Sequence, residues 1–186
     1  MRHVRRVIDE GNARNVLSGE RRGVFVRLLR QVFSSHAPLK IEPVWLPFYL
    51  VTIAFERSSG PNRVTCSIEG FSGSFAIFEM FSALDDGSLD GESFSPAIDS
   101  TNAERLARES LVTTLLRRSG QARRAVPAAT ESVELLLWPY WVYYHRRRNG
   151  RLDIQLLDAA TGQRPGHKIK LGLLEAFRAK QRASNH

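Results

Sequence analysis

Apolar residues recur at two different spacings along the chain. In SGERRGVFVRLLRQVF (18–33), Val24, Leu28, Leu29, Val32 and Phe33 return every three to four residues, which predicts an amphipathic helix. TNAERLARESLVTTLLRRSG (101–120) repeats that spacing with Leu106, Leu111, Leu115 and Leu116. Thr101 and Glu104 stand at capping-box distance at its start, and Arg117, Arg118 and Gly120 supply the basic last turn and the stop. Near the C-terminus, HKIKLGLLEAFRAKQRASNH predicts a closing helix with Leu171, Leu174 and Phe177 inward, fraying after Lys180.

The other spacing is two. VWLPFYLVTIAF (44–55) and LLLWPYWVYYH (135–145) read as strands that are apolar on both faces. Val44, Leu46, Phe48 and Leu50 oppose Trp45, Tyr49, Val51 and Ile53; Trp138, Tyr140, Val142 and Tyr144 oppose Leu137, Trp141 and Tyr143. Pro47 and Pro139 each remove a ladder donor, which predicts a bulge or a sheet edge at those points. A helix covers only one side of a sheet, so the second apolar face must pack on the sister stretch, on a second chain or on a partner.

The order of features occurs twice. After each helix comes a strand with Pro-aromatic-aromatic-aliphatic in sequence, Pro47-Phe48-Tyr49-Leu50 and Pro139-Tyr140-Trp141-Val142. Each leads through a turn, RSSGPNR or RRNGR, into a shorter strand, RVTCSIE or RLDIQLLD. Asn149-Gly150 is a strong hairpin signal because both residues tolerate positive φ. Both second strands end in an acid, two residues, a hydroxyl and a glycine: Glu69 to Gly73, and Asp158 to Gly162. A carboxylate there accepts amides two and three residues on, and the glycine reverses the chain. These matches predict an α+β fold of two related units, each a helix on a small antiparallel sheet. The boundaries fall at 1–83 and 101–186, with the acidic, glycine- and serine-rich stretch 84–100 as linker or loop and a shorter connector at 120–132.

A helix laid on antiparallel strands, with PYWVYYHRRRNG leading to LDIQLLDAATG, resembles PepSY-type and related cystatin-like modules. The resemblance covers 101–168 and, more faintly, 18–82. It implies a role as inhibitor, chaperone-like pro-domain or protein-binding scaffold rather than catalyst, in modules that are usually exported or membrane-tethered. The N-terminal MRHVRRVIDEGNARN lacks an apolar core of signal-peptide type, so the cytoplasm is the expected compartment.

Composition narrows the chemistry further. Among 186 residues, 27 basic side chains against 19 acidic ones give a net charge of +8, which favours anionic partners. The charge is uneven: from Glu79 to Asp99 there are six acids and no base. One cysteine, Cys66, and five scattered histidines give no disulfide and no metal-ligand spacing, so neither metal nor cofactor is expected. No nucleophile elbow, phosphate-cradling loop or dinucleotide fingerprint occurs, so no catalytic residue is assigned and an enzyme is not expected. The candidate interaction surface is Trp45, Tyr49, Trp138, Trp141 and Tyr143 with Arg146, Arg147, Arg148 and Arg151. The expected role is a non-catalytic interaction or scaffold protein with a protein partner or a second copy. The alternative is a nucleic-acid-binding protein that pairs arginine-phosphate contacts with ring stacking at the hairpin.

Overall fold

The computed structural model describes residues 1–18, 40–57, 60–119, 126–146 and 149–184. The helix expected at 18–33 falls almost wholly outside them. In chain order the elements are β1 (His3–Val4), α1 (Glu10–Ser18), β2 (Lys40–Arg57), β3 (Gly60–Glu69), β4 (Phe75–Ile77), a 3-10 turn (Phe81–Ala83) and β5 (Leu84–Asp85). Then follow β6 (Glu92–Ser93), α2 (Ser100–Ser119), β7 (Val126–Arg146), β8 (Leu152–Asp158) and α3 (His167–Ser184).

The expectation of two helix-on-sheet units is overturned. The fold is mixed α/β, with one eight-stranded sheet in the order β4-β3-β2-β7-β1-β5, β6 pairing β2 and β8 pairing β7. The two proline-aromatic strands are its centre. β2 and β7 run antiparallel with Leu46 opposite Trp138, Trp45 opposite Pro139 and Pro47 opposite Leu137. Two pairings are parallel, β1 with β7 and β6 with β2; the rest are antiparallel. Strand β7 begins at Val126, so part of the expected connector 120–132 is sheet, held by the far end of β2. The acidic stretch is woven in as well: Leu84 and Asp85 pair β1, and Glu92 and Ser93 pair β2.

The prolines sit at neither edge nor bulge. The register shifts fall at Thr52/Ile53 and Ala54/Phe55 instead. Along one side of β2, β6 pairs residues up to Trp45 and β3 begins at Phe48, so Pro47 lies in the gap where a ladder donor is not required. Pro139 occupies the same kind of gap between β1 at Leu137 and β8 at Tyr140. The carbonyls of both prolines remain useful: Pro47 accepts Gly70 N–H at 2.8 Å and Pro139 accepts Ala159 N–H at 3.0 Å.

Each sheet face is covered by the chain itself. On one face Val44, Leu46, Phe48, Leu136, Tyr140 and Val142 pack beneath Leu173 and Ala176 of α3 and beneath Phe78 and Phe94. On the other face α2 sets Ala103, Ala107 and Leu111 on Val51, Ile53, Cys66 and Ile68. At the opposite end of that face α1 sets Ala13 and Leu17 on Trp141, Tyr143, Leu157 and Ala159. Removing one of the larger of these side chains, such as Leu46, Ile53 or Leu173, from water contributes roughly 1.5 to 3 kcal/mol. On α3 the inward set is Ile169, Leu173, Leu174, Ala176 and Phe177, whereas Leu171 points to solvent.

The expected capping box at Thr101 and Glu104 is displaced by a carboxylate. Asp99 accepts Asn102 N–H at 2.8 Å and the Asn102 amide at 3.1 Å. Asp9 accepts Asn12 N–H and the Asn12 amide at 2.8 Å each at the start of α1. An ionised cap satisfies amide donors and also complements the helix dipole. Those bonds hold the Asp9 carboxyl below its ordinary range.

Candidate functional site

The hairpin of β7 and β8 carries most of the sequence-selected residues. Its base is anchored by rings. Trp141 Nε1 donates to the Ile8 carbonyl at 2.7 Å, and Trp141 and Tyr143 are buried under α1. The Tyr144 hydroxyl donates to Glu42, which also pairs Lys40; burial first, and this bond second, push the Tyr144 phenol up. Lys170 of α3 meets Asp153 of β8 at 2.7 Å.

Beyond that base the hairpin is basic and open to water. Arg146 and Arg151 are exposed, and Arg146 Nη1 donates to the Gly150 carbonyl at 3.3 Å. Gly150 has φ 76° and Asn149 Oδ1 accepts Arg151 N–H at 3.1 Å, but Asn149 does not take the positive φ of a two-residue Asn-Gly turn, and five residues separate Arg146 from its strand partner Leu152. Arg147 and Arg148 lie outside the described residues.

The remaining candidates are inward. Tyr49 donates its hydroxyl to the Ile98 carbonyl at 2.9 Å and is buried beside α2. Trp138 is half-buried on the α3 face, its ring centroid 5.4 Å from Phe48 and 6.2 Å from Phe78. Trp45 is 2% exposed and donates to the Asp90 carbonyl at 2.6 Å.

One residue that the sequence marks only as part of the basic N-terminal run MRHVRR organises this region. Arg6 lies between Trp45 and Trp141, with its guanidinium carbon 5.2 and 4.8 Å from the two ring centroids. Its Nη1 donates to Asp90 at 2.8 Å and keeps that carboxyl below its ordinary range. Its Nε and Nη2 are buried with no acceptor among the described residues. Buried His3 meets Trp45 edge to face at 5.2 Å. The signal available in the sequence was only the basic run Arg5-Arg6 before a cap, which says nothing about two rings far along the chain.

Within the 79–99 stretch, Asp90 pairs with Arg6, Glu92 pairs with Lys180 at 2.6 Å, and Asp99 caps α2. Burial pushes the Cys66 thiol up to about 12, which leaves it a poor nucleophile. Among the described residues, no three His, Cys, Asp or Glu side chains gather where a metal ion could be held. None of their helices is long and apolar enough to cross a membrane.

No protein-family model, curated protein or solved structure matches the chain.

What the arrangement can do is present charge. A hairpin anchored at its base by buried rings carries the exposed Arg146 and Arg151.

Proposed function

We propose that this chain is a non-catalytic interaction or scaffold protein whose basic hairpin tip docks an acidic protein partner. The observation that carries the reading is the division of labour in the hairpin. Trp141 and Tyr143 are buried against α1, while Arg146 and Arg151 are exposed at the tip. Single-stranded nucleic acid draws its affinity from exposed rings as well as from cations. Here the rings belong to the core, so the tip offers charge without a stacking platform, which suits clustered carboxylates.

The test is capture from native lysate, with and without nuclease, by the wild-type chain and by an Arg146→Glu/Arg151→Glu variant. The expected result is a protein partner that survives nuclease at moderate salt and is lost on charge reversal. Recovery of nucleic acid alone, abolished by nuclease, would overturn the proposal. So would capture indifferent to charge reversal.

A further inference from the structure

Two turns close the short strands in the same way, yet one of them is buried. Glu69 accepts Phe71 N–H at 3.0 Å and Ser72 N–H at 2.5 Å; Asp158 accepts Ala160 N–H at 2.8 Å and Thr161 N–H at 3.0 Å. Gly73 and Gly162 reverse the chain at φ 67° and 73°. Asp158 keeps access to water, whereas Glu69 is wholly enclosed.

Helix α3 makes the difference. It runs over the Glu69 carboxyl, and a methyl group placed on Gly172 would stand 3.1 and 3.2 Å from the two carboxyl oxygens. The groups that face this carboxyl are Glu175 on α3, Tyr140 on β7 and Ser72 in the turn. None of them is a base.

We propose that Glu69 links the seating of α3 to a proton: the helix packs on the neutral carboxyl and is loosened when that carboxyl ionises. Ionised, Glu69 keeps its two amide donors but stands in a low-dielectric site beside Glu175, with no counter-charge among the described residues. A helix that lifts readmits water to the carboxylate. Glycine at 172 is what allows the helix backbone to approach so closely.

The sign follows from burial. Docking raises the Glu69 pKa above its ordinary 4.5, with desolvation as the main cause. The contribution to docking is therefore complete below that value and is lost as pH rises through the raised one. Each unit of elevation multiplies the undocked population by about ten once the pH exceeds the raised value.

Amide exchange of Leu173 to Phe177 in the intact chain, corrected for its intrinsic pH dependence, tests this between about pH 4.5 and pH 8. The expected result is a protection factor that falls as pH rises across the range. Glu69→Gln should flatten the profile, whereas Asp158→Asn, at a carboxyl that keeps access to water, should keep the wild-type slope. A pH-independent protection in the wild-type chain, or an unchanged slope in Glu69→Gln, would overturn the proposal. Should Glu69→Gln not fold, a carbon-detected titration of Glu69 in the wild-type chain decides the matter. An inflection above 4.5 that coincides with loss of α3 protection supports the link, and an ordinary inflection rejects it.

Discussion

Truncation of Arg6 separates two accounts of how the N-terminal segment is held. One account rests on its ion pair with Asp90, the other on its place between Trp45 and Trp141. The Asp90 side chain is 72% exposed. A pair with a solvated carboxylate contributes roughly 0.2 to 1 kcal/mol, and salt screens it. The rings are another matter, because the guanidinium is largely desolvated within 5.2 Å of both centroids. Each such contact is worth about 2 kcal/mol. Arg6→Ala also leaves a gap between two buried indoles, while it relieves Nε and Nη2 of their missing acceptors. The net expectation is about 2 to 4 kcal/mol for Arg6→Ala and about 0.5 kcal/mol for Asp90→Asn. Arg6→Lys should fall between them, because an ammonium keeps the charge and loses the planar stack. Urea denaturation with an unchanged m-value reads all three. High salt should weaken the Asp90 contribution only. So should acid: the carboxyl is held below its ordinary 3.8, so its share is present above that value and disappears as pH falls through the lowered one. Equal costs for Asp90→Asn and Arg6→Ala would refute the idea that the ring sandwich, rather than the ion pair, holds the segment.

Gly91 and Gly150 both have positive φ, at 92° and 76°, but an added methyl would meet the Pro43 carbonyl oxygen at 2.5 Å in the first case and nothing within 4 Å in the second. Among the described residues nothing else opposes a methyl at Gly150, so Gly150→Ala should lower stability by the left-handed backbone strain, about 1 to 2 kcal/mol, and Gly91→Ala by clearly more in the same denaturation assay. Tyr49→Phe removes the bond to the Ile98 carbonyl at the entry to α2, with an expected loss of about 1 kcal/mol and faster amide exchange in the first turn of that helix. Trp141→Phe should do the same at the entry to α1, where the Ile8 carbonyl loses its donor, and should also open packing around Leu157.

Local features of the fold were legible because short-range physics sets them. Alternation marked β2 and β7 as two-faced strands. The spacing of Glu69 to Gly73 and of Asp158 to Gly162 marked the turns, whose amide bonds follow from the reach of a carboxylate. Periodicity marked α2 and α3. It failed at Leu171, since one residue of an apolar stripe can lie beyond the contact when alanine and glycine let the helix sit close. Proline was read by its missing donor, but the cost of that loss depends on whether a neighbour needs the donor. At Pro47 and Pro139 the neighbouring strands change over at that point.

Assembly was not legible, because likeness between two stretches specifies their shapes and not their neighbours. The two proline-aromatic strands pair with each other along the middle of one sheet. Each also anchors a helix from the other end of the sequence: Tyr49 on β2 bonds the residue before the α2 cap, and Trp141 on β7 bonds the residue before the α1 cap. A separate unit for each half would have left one apolar face of β2 and of β7 in water. Pairing them and crossing the helices covers both faces with the chain's own residues. This crossing also decides what remains for a partner. With Trp45, Tyr49, Trp141 and Tyr143 committed to the interior, the described side chains that the hairpin leaves exposed are Arg146, Asn149, Arg151 and the apolar Leu152 opposite Arg146.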